Sequence, residues 1–287
     1  MTAAERLTDS ITFHGEGPFW DAEGDRLLFV DMLAGAVVSR DAAGRIARHA
    51  VPSSVAAVVR RRASGGFVVA TERDLLAADD DLVGFAPIAT GLVGDGVRLN
   101  EGGCDPLGAF LIGSMAYGGT PAGGSLQRVA PDGSVTPVLD GVTVSNGLQF
   151  STDGRAAFYI DSPTGRIDRF DVDPATGAWS GRRTHVEIED TPGGPDGLAI
   201  DVDGGLWVAL YGGGAVRHYD AAGALVDEIA VPGATKVTAC AFGEADLRTL
   251  YITTSREDLA DDEEPLAGSL YAIRTDVAGA PPLAFAG

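Results

Sequence analysis

The hydrophobic positions of the chain fall in short runs, each bounded by Gly, Pro, Asp or Asn. Typical runs are "RLLFVD" at 26–31, "FVVAT" at 67–71, "AAFYID" at 156–161 and "LWVALY" at 206–211. They are rich in β-branched and aromatic residues, and they lack the 3.6-residue apolar period of an amphipathic helix. Runs of this length between turn residues are typical of β-strands. The pattern therefore predicts an all-β chain built from many short strands.

The strands recur in one repeating unit, a turn followed by an apolar run, a polar turn and a second strand that often ends in Asp. The turn residue before each apolar run recurs at intervals of 41 to 50 residues. These anchor residues are Gly24, Gly65, Gly108, Gly154, Gly204 and Leu247. A period of roughly 40–50 residues with several strands per unit is that of a propeller blade, whereas a β-helix repeat is far shorter. Six units predict a six-bladed β-propeller that forms one domain over residues 1–287.

Charge and composition narrow the classes of partner. The formal net charge is −20, which argues against nucleic acid or an anionic membrane as partner because both require a basic surface. No apolar run is long enough for a transmembrane helix, and the first residues lack the pattern of a signal peptide. The two cysteines, Cys104 and Cys240, are expected to be buried thiols in a reducing compartment. We therefore expect a cytoplasmic protein, with a monomer as the default state.

One position of the repeat carries candidate chemistry. The residues eight positions before the six anchors are Glu16, Ala57, Asn100, Asn146, Asp196 and Ala239. Equivalent positions of successive blades are related by rotation about the central channel, so these residues are expected to form a ring at one height along the axis. The ring would hold two carboxylates and two carboxamides. Adjacent glycines would allow the backbones to approach closely there.

Oxygen ligands of this kind suit a hard divalent cation such as Ca²⁺, Mg²⁺ or Mn²⁺. Asx-Gly pairs also form turns, so each pair taken alone has a purely structural explanation. The acidic segment Asp258–Pro265 is interpreted as a solvated surface loop, with a metal site as its alternative. A zinc site of the usual histidine type is not indicated, because the ring contains none of the four histidines, His14, His49, His185 and His218.

The same segments carry a family resemblance. The motifs "GEGPFWD", "VRLNEGGC", "TVSNGLQF" and "GGPDGLAID", taken together, resemble the senescence-marker-protein/gluconolactonase/luciferin-regenerating-enzyme family over essentially the full length. The resemblance implies a six-bladed propeller with one divalent metal in the central channel. Its motifs place the metal ligands at Glu16, Asn146 and Asp196, which are also positions of the ring. Family members similar to this sequence hydrolyse sugar lactones to aldonic acids.

The resemblance also implies further roles. Arg98 and Asn100 would hold substrate hydroxyls, and Asp196 would act as general base as well as metal ligand. The sequence departs from the family pattern at two places. It has Glu101 where family members typically have Asp, and it lacks a carboxylate after "GSM", where Tyr117 could contact substrate or be a surface aromatic residue instead.

These observations predict a metal-dependent hydrolase that opens a sugar lactone, an aldono-1,4- or aldono-1,5-lactone, with the metal as Lewis acid. Ca²⁺ is the first candidate, and Mg²⁺, Mn²⁺ and Zn²⁺ are the alternatives. A serine hydrolase is disfavoured because the sequence contains no G-x-S-x-G element. Two alternatives stay open: hydrolysis of another ester or a phosphotriester, and a non-catalytic calcium-binding propeller. The sequence leaves the particular lactone, its ring size and the metal undetermined.

Overall fold

Each of the six repeats forms one antiparallel sheet, and the sheets are arranged around a central channel as a six-bladed β-propeller. The fold class predicted from the sequence is confirmed. A computed structural model describes residues 2–260 and 262–287. Met1 and one residue of the acidic segment Asp258–Pro265, Asp261, lie outside the described residues.

The chain contains 25 strands in this description and two short 3₁₀ helices, Met32–Ala34 and Ser162–Thr164. The described residues include no helix long and apolar enough to cross a membrane. In chain order the first twelve strands are β1 (Thr2–Ala3), β2 (Glu5–Arg6), β3 (Gly15–Asp21), β4 (Arg26–Asp31), β5 (Ala36–Asp41), β6 (Ile46–Ala50), β7 (Ala56–Arg61), β8 (Phe67–Thr71), β9 (Leu75–Ala78), β10 (Ala86–Ala89), β11 (Val97–Cys104) and β12 (Phe110–Ala116). The others are β13 (Gly124–Val129), β14 (Val135–Val142), β15 (Ser145–Phe150), β16 (Ala156–Asp161), β17 (Arg166–Val172), β18 (Trp179–Glu187), β19 (Gly194–Ile200), β20 (Leu206–Tyr211), β21 (Ala215–Tyr219), β22 (Leu225–Ala230), β23 (Val237–Gly243), β24 (Thr249–Thr254) and β25 (Tyr271–Arg274).

The N-terminal strands join the last two blades. Blades one to four are β3–β6, β7–β10, β11–β14 and β15–β18, each with four consecutive strands. Blade six consists of β23, β24, β25 and the N-terminal β2, which pairs antiparallel with β25. β1 pairs in parallel with β22 and adds a fifth strand to blade five, β19–β22. The repeat pattern did not predict these two strands, because two exposed residues each are too short to show any hydrophobic alternation.

The two strands of each blade nearest the channel are mostly buried, and the outermost strand is mostly exposed. All seven residues of β3 are buried, whereas β6, at the outer edge of the same blade, is almost wholly exposed. Each innermost strand contacts the innermost strands of the two neighbouring blades, so that β3, β7, β11, β15, β19 and β23 form a closed ring. The apolar runs of the sequence thus supply the core between blades, and the polar residues of the outer strands face solvent.

A β-bulge interrupts each innermost strand at the same height. In every blade the pairing with the second strand shifts there by one residue, and the shifts lie at Glu16/Phe19, Ala56/Val58, Leu99/Gly102, Asn146/Leu148, Pro195/Leu198 and Val237/Ala239. A bulge leaves one residue unpaired and redirects its side chain. The six positions found by counting back from the turns coincide with these bulges. The repeat therefore preserves an irregularity of the strand as well as its hydrophobic pattern.

Close packing at the bulges requires glycine. A Cβ atom added to Gly197 would lie 2.5 Å from Cβ and 2.7 Å from Cα of Ala239 in the next blade. We expect Gly197→Ala to lower the free energy of unfolding by about 1–3 kcal/mol, because overpacking a tight interface forces backbone shifts. Thermal unfolding should show a melting temperature several degrees below that of the wild type. Gly94→Ala is the matched control, since a Cβ there meets nothing within 4 Å. Equal melting temperatures for the two variants would contradict this account.

Candidate metal and substrate site

The bulges bring polar side chains from four blades to the channel axis. Glu16 lies on β3, Asn100 on β11, Asn146 on β15 and Asp196 on β19. Each is at most 6% exposed. The two remaining positions of the ring are the buried alanines Ala57 and Ala239. The structure therefore places together the three residues that the sequence singles out as metal ligands, with Asn100 beside them.

Hydrogen bonds fix the orientation of the two carboxamides. Asn100 Nδ2 donates to Asn146 Oδ1 at 2.9 Å and to the carbonyl oxygen of Ser145 at 2.7 Å. Asn146 Nδ2 donates to Ser162 Oγ at 2.7 Å, and that hydroxyl donates to the carbonyl oxygen of Pro195 at 2.7 Å. Because an amide oxygen has two lone pairs, Asn146 Oδ1 can accept the bond from Asn100 and still bind a cation. The 3₁₀ helix that contains Ser162 thus positions a candidate ligand.

The two carboxylates of the ring are desolvated and lie close to other negative charges. Glu16 Oε2 accepts a hydrogen bond from the Gly17 backbone N–H at 3.0 Å, while Oδ1 of Asp196 is buried and has no hydrogen-bond partner among the described residues. Burial raises the pKa of Glu16 to about 8, and the charge of Glu101 adds to this effect. Burial raises the pKa of Asp196 well above its usual range, and the charge of Glu16 raises it further.

Neighbouring histidine does not neutralise these acids. His14 Nε2 is 3.8 Å from Glu16 Oε1, and burial lowers the pKa of His14 to about 3, so the imidazole is neutral at pH 7. An unpaired buried carboxylate oxygen is costly unless a proton or a cation satisfies it. Two carboxylates and an oriented amide oxygen are suitable ligands for a hard divalent cation.

The donor set therefore fits a divalent cation. The buried Oδ1 of Asp196 supports this, because it has no hydrogen-bond partner in the part of the chain that the structure describes and would gain one interaction if a cation bound there. Among the described residues no group of three or more His, Cys, Asp and Glu side chains is arranged to hold a metal ion. The candidate site accordingly depends on the oxygen of Asn146 as its third ligand. This composition favours an oxygen-binding cation over zinc.

Arg98 and Tyr117, the other predicted site residues, differ in burial. Arg98 is 5% exposed, and its Nη1 donates to Asn100 Oδ1 and, at 3.1 Å, to Met32 Sδ. Tyr117 follows β12, is 47% exposed and donates its hydroxyl to Glu72 Oε1 at 2.8 Å. Arg98 therefore belongs to the buried network of Asn100, whereas Tyr117 lies at the rim of the channel.

Sequence reasoning did not assign a role to several charged groups around the ring. Glu101 is buried; its Oε1 lies 3.4 Å from Arg60 Nη2 and 3.1 Å from the backbone nitrogen of Gly102. Burial raises the pKa of Glu101. Glu257 follows the last residues of β24, and its charge raises the pKa of both Glu16 and Asp196. The departure from the family motif at Glu101 was the one sequence signal for these groups. Nothing in the repeat pattern indicates Glu257.

The channel also widens on the side of the ring toward the C-terminal ends of the innermost strands. A cavity of about 430 Å³ lies there. Its lining includes Phe19, Arg60, Glu101, Phe150 and Phe242, and none of the three candidate metal ligands borders it. Arg98, Tyr117 and Glu257 are connected to the ring from the opposite side. The substrate site expected from the sequence therefore lies at the other opening of the channel from this cavity.

The fold and this ring define a class of protein, and comparison with known proteins identifies its family. Residues 14–256 match the model of the SMP-30/Gluconolactonase/LRE-like region, so the chain belongs to the SMP-30/gluconolactonase/LRE-like family. It is similar to the protein named "Putative sugar lactone lactonase YvrE" from Bacillus subtilis, with 34% identity over 97% of each chain. It is also similar to regucalcin from Xenopus laevis, with 35% identity over 95% of each chain.

A solved structure supports the same assignment. The fold matches a structure described as a calcium-binding protein, regucalcin, from Agrobacterium tumefaciens, with a TM-score of 0.93 and 27% identity. The match covers 99% of this chain and 97% of that one. The propeller and the family, both expected from the sequence, are thus confirmed.

The raised pKa values predict how pH affects the metal-free protein. Glu16 has a pKa of about 8 in the folded protein against 4.5 as its ordinary value, so the unfolded chain loses this proton first as the pH rises. Stability should therefore fall between about pH 4.5 and about pH 8, and Asp196 acts in the same direction. A bound cation favours the ionised carboxylates, so the rise in melting temperature on adding CaCl₂ should grow across this window.

Thermal unfolding after chelator treatment, repeated with added CaCl₂ at several pH values, checks this expectation. Glu16→Gln should flatten the pH dependence of the metal-free protein and reduce the calcium effect. Asp203→Asn, which removes an exposed carboxylate from a turn of blade five, is the matched control and should behave as the wild type. A calcium effect that is absent at every pH would contradict the assignment of the ring as a cation site.

Proposed function

We propose that this protein hydrolyses a sugar lactone, an aldono-1,4- or aldono-1,5-lactone, to the aldonic acid with the help of one divalent cation. Membership of the SMP-30/gluconolactonase/LRE-like family supports a small-molecule lactone as substrate, and the lactonase name of the Bacillus relative points in the same direction. The observation that carries the proposal is the meeting of buried Glu16, Asn146 and Asp196 at the channel axis, with one oxygen of Asp196 unpaired. A propeller that served only as a scaffold would gain nothing from this costly arrangement.

Glu16, Asn146 and Asp196 would hold the cation, and Ca²⁺ is the first candidate because a structural relative is described as a calcium-binding protein. A divalent cation bound here supplies Lewis acidity, which polarises the lactone carbonyl and stabilises negative charge on its oxygen. Mg²⁺, Mn²⁺ and Zn²⁺ are the alternatives. All four cations would use the same ligands, so the binding of each one to this site can be measured and compared directly.

Asp196 is the proposed general base. In the reaction a water molecule attacks the lactone carbonyl carbon, its proton passes to Asp196, and the ring C–O bond breaks as the ring oxygen takes up a proton. A carboxylate has two oxygens, so one oxygen of Asp196 would bind the cation while the other accepts the proton; Oδ1 is buried and, within the described residues, has no hydrogen bond that would have to break first. Burial, and after it the neighbouring negative charges, raise the pKa of Asp196 in the metal-free protein; the charge of a bound cation would oppose this and keep the carboxylate ionised, as a base must be.

Arg98 and Asn100 would orient the substrate. Among the described hydrogen bonds Arg98 donates only through Nη1, and a guanidinium has five N–H donors in total. Its remaining donors can therefore bind sugar hydroxyls. Asn100 is held in place by its hydrogen bonds to Ser145 and Asn146. A sugar hydroxyl bound by Arg98 and Asn100 would therefore lie at a fixed distance from the carboxylates of the ring.

A second candidate function is calcium binding without catalysis. The names of the regucalcin relatives and the description of the structural relative from Agrobacterium favour it. The same ring would serve both functions, since its ligands suit Ca²⁺ in either case. Hydrolysis of another ester or of a phosphotriester would use the same Lewis acid and is tested by the same assay.

We further propose a single domain over residues 1–287 and a cytoplasmic monomer, as the sequence predicts.

A panel of lactones tests the proposed function. We expect release of acid from glucono-1,5-lactone or from other pentono- and hexonolactones above the spontaneous rate, followed with a pH indicator. A chelator should abolish it, and Ca²⁺ or another divalent cation should restore it. Asp196→Asn should lower kcat/KM by at least about a hundredfold, because even the loss of groups that only support a metal ligand costs roughly 10–100-fold.

Asp196→Asn also separates the two roles of Asp196, since its amide oxygen can still bind a cation but is not a base. A variant that keeps the calcium-induced rise in melting temperature but loses activity supports the role as base. The exposed carboxylate variant Asp203→Asn is the control and should retain activity. Rates equal to spontaneous hydrolysis on every lactone, with calcium binding intact, would favour the non-catalytic function.

Tyr117 is tested by Tyr117→Phe, which removes only the hydroxyl. If this hydroxyl contacts substrate, KM should rise about 2–10-fold with kcat nearly unchanged, as expected for one hydrogen bond between neutral groups. The hydroxyl also binds Glu72 at the exposed rim, so Glu72→Gln, which keeps an acceptor, is the matched control. Unchanged kinetics in Tyr117→Phe would assign Tyr117 to the surface.

A further inference from the structure

A further acidic side chain, Glu257, lies beside the candidate site in the segment that follows β24 of blade six. Its Oε2 lies 3.5 Å from Nδ1 of His14, and Nε2 of the same imidazole lies 3.8 Å from Glu16 Oε1. A single ring thus separates Glu257 from a candidate metal ligand. The Glu257 side chain is 32% exposed, whereas that of Glu16 is 5% exposed. Glu257 therefore lies between the buried ring and solvent, at the mouth of the channel.

Several contacts hold Glu257 in place. Its backbone N–H donates to Ser255 Oγ at 2.9 Å, and its carbonyl oxygen accepts a hydrogen bond from Lys236 Nζ. Tyr211 Oη donates to Oε2 of its carboxylate at 3.5 Å. Lys236 lies over the ring of Tyr211, 5.3 Å from its centroid, so these residues form one packed group. A carboxylate fixed by its backbone and by neighbouring side chains is better ordered than a free surface glutamate.

Glu257 also acts on Arg98, which reaches the site from blade three. Burial lowers the pKa of Arg98, and the charge of Glu257 is the largest of those that oppose this effect, ahead of Tyr117, Glu16 and Asp196. The guanidinium of Arg98 is held against Asn100 of the ring, and the carboxylate of Glu257 is held against His14 beside Glu16. Both charged groups therefore lie close to the ring of candidate ligands.

We propose that Glu257 contacts the substrate together with Arg98, accepts hydrogen bonds from its hydroxyl groups, and selects neutral polyhydroxylated lactones over lactones that carry a carboxylate. This inference rests on the proposed function. A hydroxyl group can donate a hydrogen bond to the carboxylate of Glu257 and accept one from the guanidinium of Arg98. A sugar lactone can therefore form hydrogen bonds with both side chains. A substrate carboxylate beside Glu257 would place two like charges in a partly desolvated opening. The same repulsion would help the aldonate product to leave.

Two lactones with the same ring test the selection. D-glucono-1,4-lactone is neutral, and D-glucaro-1,4-lactone carries a carboxylate in place of the terminal CH₂OH group. The wild type should prefer the neutral lactone by about tenfold or more in kcat/KM. Glu257→Gln should raise KM for the neutral lactone by about tenfold, with kcat little changed, because hydrogen bonds to charged groups are the stronger ones. The variant should also lose most of its discrimination against the anionic lactone.

Two further variants keep the test decisive. Asp258→Asn removes the neighbouring, exposed charge and should leave both KM values unchanged. Glu257→Asp keeps the charge and should keep the preference for the neutral lactone, and it decides the question if Glu257→Gln does not fold. Discrimination that survives in Glu257→Gln, or equal losses of kcat on both lactones with a lowered melting temperature, would overturn the inference and leave the proposed function standing. A wild type inactive on every lactone would refute both.

Discussion

The burial of like charges at the channel axis is the constraint on which this site depends. Six innermost strands meet there, and each carries a bulge at the same height. The backbones approach so closely that Gly147 and Gly197 have no room for a Cβ atom. Glu16 and Asp196 are excluded from water at this point, and the charge of Glu16 raises the cost of ionising Asp196. The fold is stable around these acids only if protons or a cation satisfy them.

The repeat explains why so much of this arrangement could be predicted. A position that recurs in every blade lies at the same height on the channel axis, because the blades are related by rotation. Counting back from the turns therefore predicted a ring of side chains, and the structure has its bulges at these positions. Five of the six anchors have the same left-handed conformation, even where the residue is not glycine: Leu247 has a φ of 51° at the place where Gly204 has 84°. In blade one the left-handed residue is Asp25, one position after the anchor Gly24, with a φ of 48°. The apolar runs likewise defined the buried faces of the strands.

Residues outside the repeat could not be predicted in this way. β1 and β2 pair with strands more than 200 positions away, and nothing in their few residues indicates a partner. His14 precedes the first innermost strand and Glu257 follows β24, yet one imidazole contacts both Glu16 and Glu257. Their proximity follows from closure of the ring between blades six and one, which brings Ser255 against His14. Sequence periodicity has no information about a contact that occurs once.

The division between repeated and unrepeated residues also separates two kinds of chemistry. The ring residues Glu16, Asn146 and Asp196 are buried and fixed by strand geometry, which suits a cation whose ligands must hold their positions. Glu257 and Tyr117 come from segments beyond the strand ends, where a substitution disturbs no blade packing. Such residues can change with the substrate while the ring stays the same. If the family shares one metal-assisted reaction, its members would therefore differ in substrate through the mouth of the channel, and Glu257 is where that difference is best sought in this protein.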